Sequence, residues 1–155
     1  MGNHYLLDTN IILLMAKRSS FGTYFEKTYR AQPNVFLTYS YVSLGELDSL
    51  SQQNQWGSKR LSKLTQVLDS LQMIPISGQD LVDHYGRIDA YSQGNLSTKP
   101  LPPGMSARNM GKNDLWIAAT AAALSATLIT TDRDFDHLSP AFFAIDWVDI
   151  QQFRQ

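Results

Sequence analysis

Hydrophobic residues recur along the chain in two rhythms. Short apolar runs at Tyr5-Leu6-Leu7, Val35-Phe36-Leu37-Thr38, Ile74-Pro75-Ile76 and Thr127-Leu128-Ile129-Thr130-Thr131 have the length and residue types of strands. Pro75 cannot donate to a ladder, which makes the third strand weak or an edge. Elsewhere apolar positions return every three or four residues. Thr9 and Asn10 offer caps for a helix through Ile11–Ala16. The helical pattern resumes from Lys17 to Ala31, with a break expected near Ser19-Ser20 or Gly22, and Gln32-Pro33-Asn34 is a turn. A helix starting at Ser40 or Ser43 carries Val42, Leu44, Leu47 and Leu50. Another from Ser58 carries Leu61, Leu64, Val67, Leu68 and Leu71. A third runs from Leu81 to about Gln93, with Leu81, Val82, Tyr85 and Ile88 facing inward. The strongest helix signal is Lys112–Ala123, alanine-rich and apolar enough to require burial, with Asn113 as a candidate N-cap. Phe142–Ile145 and Trp147-Val148 suggest a last short strand.

Strands alternating with helices predict a three-layer α/β/α fold with a mainly parallel central sheet of about four or five strands. With no repeat, low-complexity tract or composition shift, residues 1–155 read as one domain. The segment of about 94–112 is its longest irregular stretch, with Pro100, Pro102, Pro103 and three glycines. It carries Lys99, Arg108 and Lys112, and reads either as a mobile basic loop that holds phosphate oxygens or as a surface insertion.

Composition narrows the chemistry. The chain is 43% hydrophobic and 17% charged, which argues against disorder. It has no cysteine, which excludes disulfides, a thiol nucleophile and zinc–thiolate sites. No apolar run approaches the ~20 residues of a membrane span, and the start of the chain lacks a signal-peptide pattern, so a cytoplasmic location is expected. A net charge of -1 gives no general basic field, and nucleic-acid contacts must come from local patches. Lys59, Arg60 and Lys63 make one basic helix face, either solvated or a contact for a partner or RNA. His4, His84 and His137 form no ligand-spaced pair and read as structural.

Four carboxylates fall where ligands gather in α/β folds. Asp8 and Asp132 follow strands, at their carboxyl ends, while Glu46 and Asp114 lie early in helices. Each also has a plainer reading. Asp8 can cap the following helix, and Ser43-x-x-Glu46 has capping-box spacing. Asp114, in a first turn, is favoured by the helix dipole. Together in one cleft, however, these groups would repel one another strongly and require a cation. Oxygen-only ligands favour Mg²⁺ or Mn²⁺ over zinc, and such sites serve phosphate chemistry with activated water.

Leu6-Leu7-Asp8-Thr9-Asn10, Ser43-Leu44-Gly45-Glu46-Leu47, Asn113-Asp114-Leu115-Trp116-Ile117-Ala118-Ala119 and Thr130-Thr131-Asp132-Arg133-Asp134-Phe135 resemble, in order, the four signature blocks of PIN-domain ribonucleases, above all the VapC toxins of toxin–antitoxin pairs. The resemblance implies a PIN-like fold and a metal-dependent endoribonuclease. Asp8, Glu46, Asp114 and Asp132 would be its catalytic and metal-binding acids, with Asp134 and Asp136 as alternatives for the fourth. It implies Asn10 and Thr131 as supporting residues that orient carboxylates or water. Its expected partners are an RNA such as tRNA or rRNA, a cognate antitoxin and a second copy in a homodimer. Lys112 and Arg108 are candidate phosphate contacts from their position beside the acids. Two other readings remain: a non-catalytic RNA- or partner-binding PIN module, and a phosphoacceptor domain. The second lacks the expected acid after Val35–Leu37 and the lysine after the late strand.

Overall fold

The structure is a computed structural model and describes residues 3–153. Five strands, β1 Asn3–Leu7, β2 Val35–Ser40, β3 Gln72–Ile74, β4 Thr127–Thr130 and β5 Ile145–Trp147, form one sheet in the order β3-β2-β1-β4-β5. Every pairing is parallel. Six helices connect them: α1 Thr9–Lys17, α2 Ser19–Phe25, α3 Tyr41–Gln53, α4 Ser58–Asp69, α5 Gln79–Ser92 and α6 Lys112–Ala123. A π-helical turn, Glu26–Arg30, extends α2, and 3-10 turns cover Arg133–Leu138 and Ile150–Phe153.

The strands are short, and the central ones bury Leu6, Leu7, Leu37, Leu128 and Ile129 because both faces of the sheet are covered there. Side chains alternate across a strand, so neighbours join opposite cores. Leu7 and Ile129 pack with Ile11, Phe21, Phe25 and Leu64 beneath α1, α2 and α4. Leu6 and Leu128 pack with Ile88, Leu115, Ala118 and Ala121 beneath α5 and α6. Helix α3 spans the two layers, sending Leu47 to the first core and Val42 to the second. The alanines of α6 allow a close approach to the sheet, and Ala118, Ala119 and Ala121 are fully buried.

Several local expectations are corrected. The break before α2 falls at Arg18, in extended conformation, and Gly22 lies within the helix. The third strand ends at Ile74, one residue before Pro75, where the proline ring disfavours helix and supplies no donor. Val82 is 51% exposed and faces outward. The segment between α5 and α6 is pinned along its length. Leu96, Leu101 and Met110 pack on the second core, Arg108 N–H donates to Ser92 O at 2.6 Å, and Lys99 Nζ donates to Ala141 O at 3.1 Å. Lys99, also 5.0 Å from the Phe142 ring centroid, serves the fold.

Candidate active site

β1 lies inside the sheet, with β2 on one side and β4 on the other. After β1 the chain turns onto one face as α1, and after β4 it turns onto the opposite face through Arg133–Leu138. Diverging exits at neighbouring strand ends open a crevice, the usual ligand position of an open parallel sheet. Asp8 follows β1 directly and Asp132 lies two residues beyond β4.

Asp8, Glu46, Asp114 and Asp132 line a single cavity of about 440 Å³ at this crevice, with Thr9, Asn10 and Asn113. The four come from four separate parts of the chain. Asp8 is both the α1 N-cap and a member of the cluster: Oδ1 accepts from Thr9 N at 2.8 Å, and Oδ2 accepts from Thr130 Oγ1 at 2.7 Å. Thr130 Oγ1 also accepts from Asp132 N at 2.9 Å, so one buried hydroxyl holds two of the acids. Thr9 Oγ1 donates to Glu46 Oε1 at 2.6 Å and lies 2.8 Å from Ser43 Oγ.

The capping-box reading of Glu46 is therefore replaced. The N-cap of α3 is Ser40, whose hydroxyl accepts from Val42 N at 3.2 Å. Ser43 is fully buried beneath Thr9, and Glu46 stands in the second turn, facing the acids. At α6 the cap position is Gly111, with no side-chain capping bond, and Asn113 lies inside the first turn. Asp114 keeps its predicted place there.

Burial and mutual repulsion destabilise two of these acids as anions. Burial pushes the Asp8 carboxyl up to about 6; bonds from Thr130 and Thr9 oppose the rise, and the charges of Glu46 and Asp132 add to it. Asp114 is also pushed up to about 6, by burial first and then by Asp8, Asp132, Glu46 and Asp134. Asp114, Asp132 and Asp134 each offer a carboxylate oxygen within 4.8 Å of the others. Asp134 thus lies beside Asp132, while Asp136 faces Arg133 at 3.8 Å. Hard oxygen donors at this spacing, with Asp114 among them and Asp8 lining the same cavity, both destabilised as anions, fit a hard divalent cation.

The remaining candidates are dispersed. Lys112 lines an open cleft with Glu46, Asn113 and Asp114, on the rim of the acidic cavity. Asn10 lines the cavity itself. Arg108 donates to the Asp134 carbonyl at 3.4 Å and is exposed. The hydroxyl that holds the acids belongs to Thr130, while Thr131 lines a neighbouring groove with Arg133 and Trp147. Sequence reasoning passed over Thr130, although strand alternation was a signal that could have selected it. Lys59, Arg60 and Lys63 line, with Lys17, a separate groove of about 760 Å³ that shares no residue with the acidic cavity. His137 is buried, 2.8 Å from Ser92 Oγ, and His4 Nε2 lies 3.2 Å from Thr38 Oγ1.

A family model of the PIN domain matches residues 5–139, and the chain belongs to the PIN-domain family. Within that family its similarity runs to VapC proteins. Ribonuclease VapC1 of Haemophilus influenzae is 30% identical over 139 residues, covering 87% of this chain and 92% of the relative. VapBC2 from Rickettsia felis, bound to a DNA fragment from its promoter, superposes with a TM-score of 0.72 at 25% identity, over 94% of this chain and 99% of that one. VapBC-5 of Mycobacterium tuberculosis, a toxin–antitoxin system, gives 0.60 at 25% identity, over 94% and 98%. VapBC-1 from nontypeable Haemophilus influenzae gives 0.68 at 24% identity over 93% and 97%, a likeness of fold.

Proposed function

We propose that this protein is a divalent-metal-dependent endoribonuclease that hydrolyses RNA phosphodiester bonds with activated water, and that it is the toxin of a toxin–antitoxin pair. The observation that carries this reading is the convergence of Asp8, Glu46, Asp114 and Asp132 in one cavity, with Asp8 and Asp114 pushed up to about 6. The names of the VapC and VapBC relatives support the substrate class and the pairing with an antitoxin.

The four acids, with Asp134 at the edge, would hold Mg²⁺ or Mn²⁺. Such an ion supplies charge neutralisation at phosphoryl oxygens and lowers the pKa of an attacking water. The chain's own groups set the geometry. Thr130 aligns Asp8 with the Asp132 backbone, and Thr9 turns Glu46 toward the same space. Lys112, on the rim, binds a phosphate oxygen of the incoming strand, and Arg108 extends the cationic edge near Asp134. Asn10, which lines the cavity, and Thr131, in the groove beside it, would meet substrate. The 155 residues form a single PIN domain that acts on tRNA or rRNA in the cytoplasm, pairs as a homodimer and is silenced by its cognate antitoxin.

The test is cleavage of single-stranded RNA by purified protein with Mg²⁺ or Mn²⁺, and with chelator. Activity should need the ion and disappear in Asp8→Asn and Asp114→Asn while both variants stay folded. Wild-type cleavage by Asp114→Asn would overturn the reading. RNA bound equally well with chelator, and never cut, would select the non-catalytic module instead. RNA-end sequencing after brief induction, against the Asp114→Asn control, identifies the target.

A further inference from the structure

A second groove, of about 310 Å³, begins one residue from Asp132 and is lined by Thr131, Arg133, Trp147, Asp149 and Gln151. Consecutive Cα atoms are about 3.8 Å apart, so Asp132 and its neighbours divide between two adjoining spaces. Asp132 lines the acidic cavity, while Thr131 and Arg133 line this groove. Across the sheet, Trp147 of β5 is in register with Thr130, the residue that holds Asp8.

The groove contains a cation beside an aromatic ring. Arg133 Cζ lies 4.7 Å from the Trp147 ring centroid. The Arg133 side chain is 70% exposed, and its ion pair to Asp136 is long, at 3.8 Å. The guanidinium thus sits beside the indole and is largely open to solvent. Planar guanidinium and aromatic faces are the surfaces on which unpaired RNA bases stack. Asp149, exposed beside them, accepts from Gln151 N through Oδ1 at 3.0 Å. That bond engages Oδ1 at the start of the last 3-10 turn and leaves Oδ2 available to the edge of a base. Guanine is the base that presents two adjacent N–H donors, N1–H and the 2-amino group, to a carboxylate.

The geometry points to a nucleobase subsite here: an unpaired guanine next to the scissile phosphate stacks on Arg133 and Trp147 and donates its edge to Asp149. This inference rests on the ribonuclease reading and adds what selects the cut.

The experiment uses the full chain and short single-stranded RNAs that carry guanine, inosine, adenine, cytosine or uracil at one position. Binding to catalytically silenced Asp114→Asn is read by quenching of Trp147 fluorescence, identified by its loss in an added Trp147→Phe. Guanine should bind about tenfold more tightly than pyrimidines, the scale of one base contact. Inosine, without the 2-amino group, should fall between them. Arg133→Ala should weaken every base-containing RNA, and Asp149→Asn should abolish the advantage of guanine over inosine. In otherwise wild-type protein the same two changes should raise KM on guanine-containing RNA. If wild-type protein cleaves RNA yet all bases bind alike, or Asp149→Asn leaves base preference unchanged, the subsite is wrong and the ribonuclease reading stands. If wild-type protein neither cleaves nor binds RNA, both fall.

Discussion

Thr130 and Asp8 are 122 residues apart in the chain, yet the Thr130 hydroxyl donates to Asp8 Oδ2 at 2.7 Å. The same oxygen accepts from Asp132 N, so Thr130 ties the carboxyl ends of β1 and β4 together at the acids. Thr130→Val keeps the shape and leaves both partners unpaired. It should cost about 1–3 kcal/mol of stability, read by chemical denaturation. Mn²⁺ affinity, measured by calorimetry, should fall about 10–100-fold, with Thr130→Ser restoring most of it.

Protonation of the metal-free protein should follow two opposed trends. Asp8 and Asp114 rise from 3.8 to about 6, so folding takes up protons there and stability declines as pH rises from about 4 to 6. His137 falls from 6.5 to about 4, chiefly through burial, and burial also lowers His4. Unfolded histidine takes the proton that folded histidine refuses, so these groups make stability decline as pH drops through the same window. Wild-type protein should therefore have a shallow profile between about pH 4 and 6. Thermal melts of Asp114→Asn should lose stability as pH drops through it, and those of His137→Gln should gain.

Removing a repelled charge should stabilise the metal-free fold. At pH 7.5 Asp114 is ionised among other acids. Allowing for its partial exposure, Asp114→Asn should raise the melting temperature by roughly 3 °C, the equivalent of about 1 kcal/mol in a chain of this length. Added Mn²⁺ should stabilise wild-type protein more at pH 8 than at pH 5, because protons compete for the same oxygens, and should stabilise the variant far less.

Ser40 and Ser43 separate helix capping from site support. Ser40→Ala removes the α3 cap and should cost about 1 kcal/mol with unchanged Mn²⁺ affinity. Thr9→Val strips the partner of Ser43 and Glu46 and should weaken Mn²⁺ binding about tenfold. Equal effects of the two on Mn²⁺ affinity would contradict the assigned roles.

Lys112 on the cavity rim should act through charge. Lys112→Ala should weaken RNA binding to the Asp114→Asn protein and reduce the slope of log affinity against log salt by about 0.7, one phosphate contact on a single strand. An unchanged slope would place Lys112 outside the RNA path.

Much of this was legible in the chain because it depends on local order. Apolar runs followed by Asp8 and Asp132, and the alanine-rich helix with Asp114 in its first turn, are short-range patterns, and their acids do meet. Where local order was not enough, the cause is shared. Ser43 has capping-box spacing to Glu46, but its hydroxyl is claimed by Thr9, 34 residues away. Thr131 abuts Asp132 but lies one residue past β4 and lines the neighbouring groove, while the hydroxyl bonded to Asp8 is that of Thr130. The 94–112 segment looks mobile by its prolines and glycines, but its apolar residues find a core that only the packed layers create.

The order of residues thus determined the alternation of strands and helices, the two-faced burial of the sheet and the four acids at element ends. Strand order was decided in three dimensions. β1 lies between β2 and β4 although some 120 residues separate it from β4, because the buried runs of Leu6-Leu7 and Leu128-Ile129 pair only when helices cover both faces. That placement makes the chain leave β1 and β4 in opposite directions and opens the crevice between their ends. The burial that raises Asp8 and Asp114, and the charge repulsion that adds to it, coincide only there.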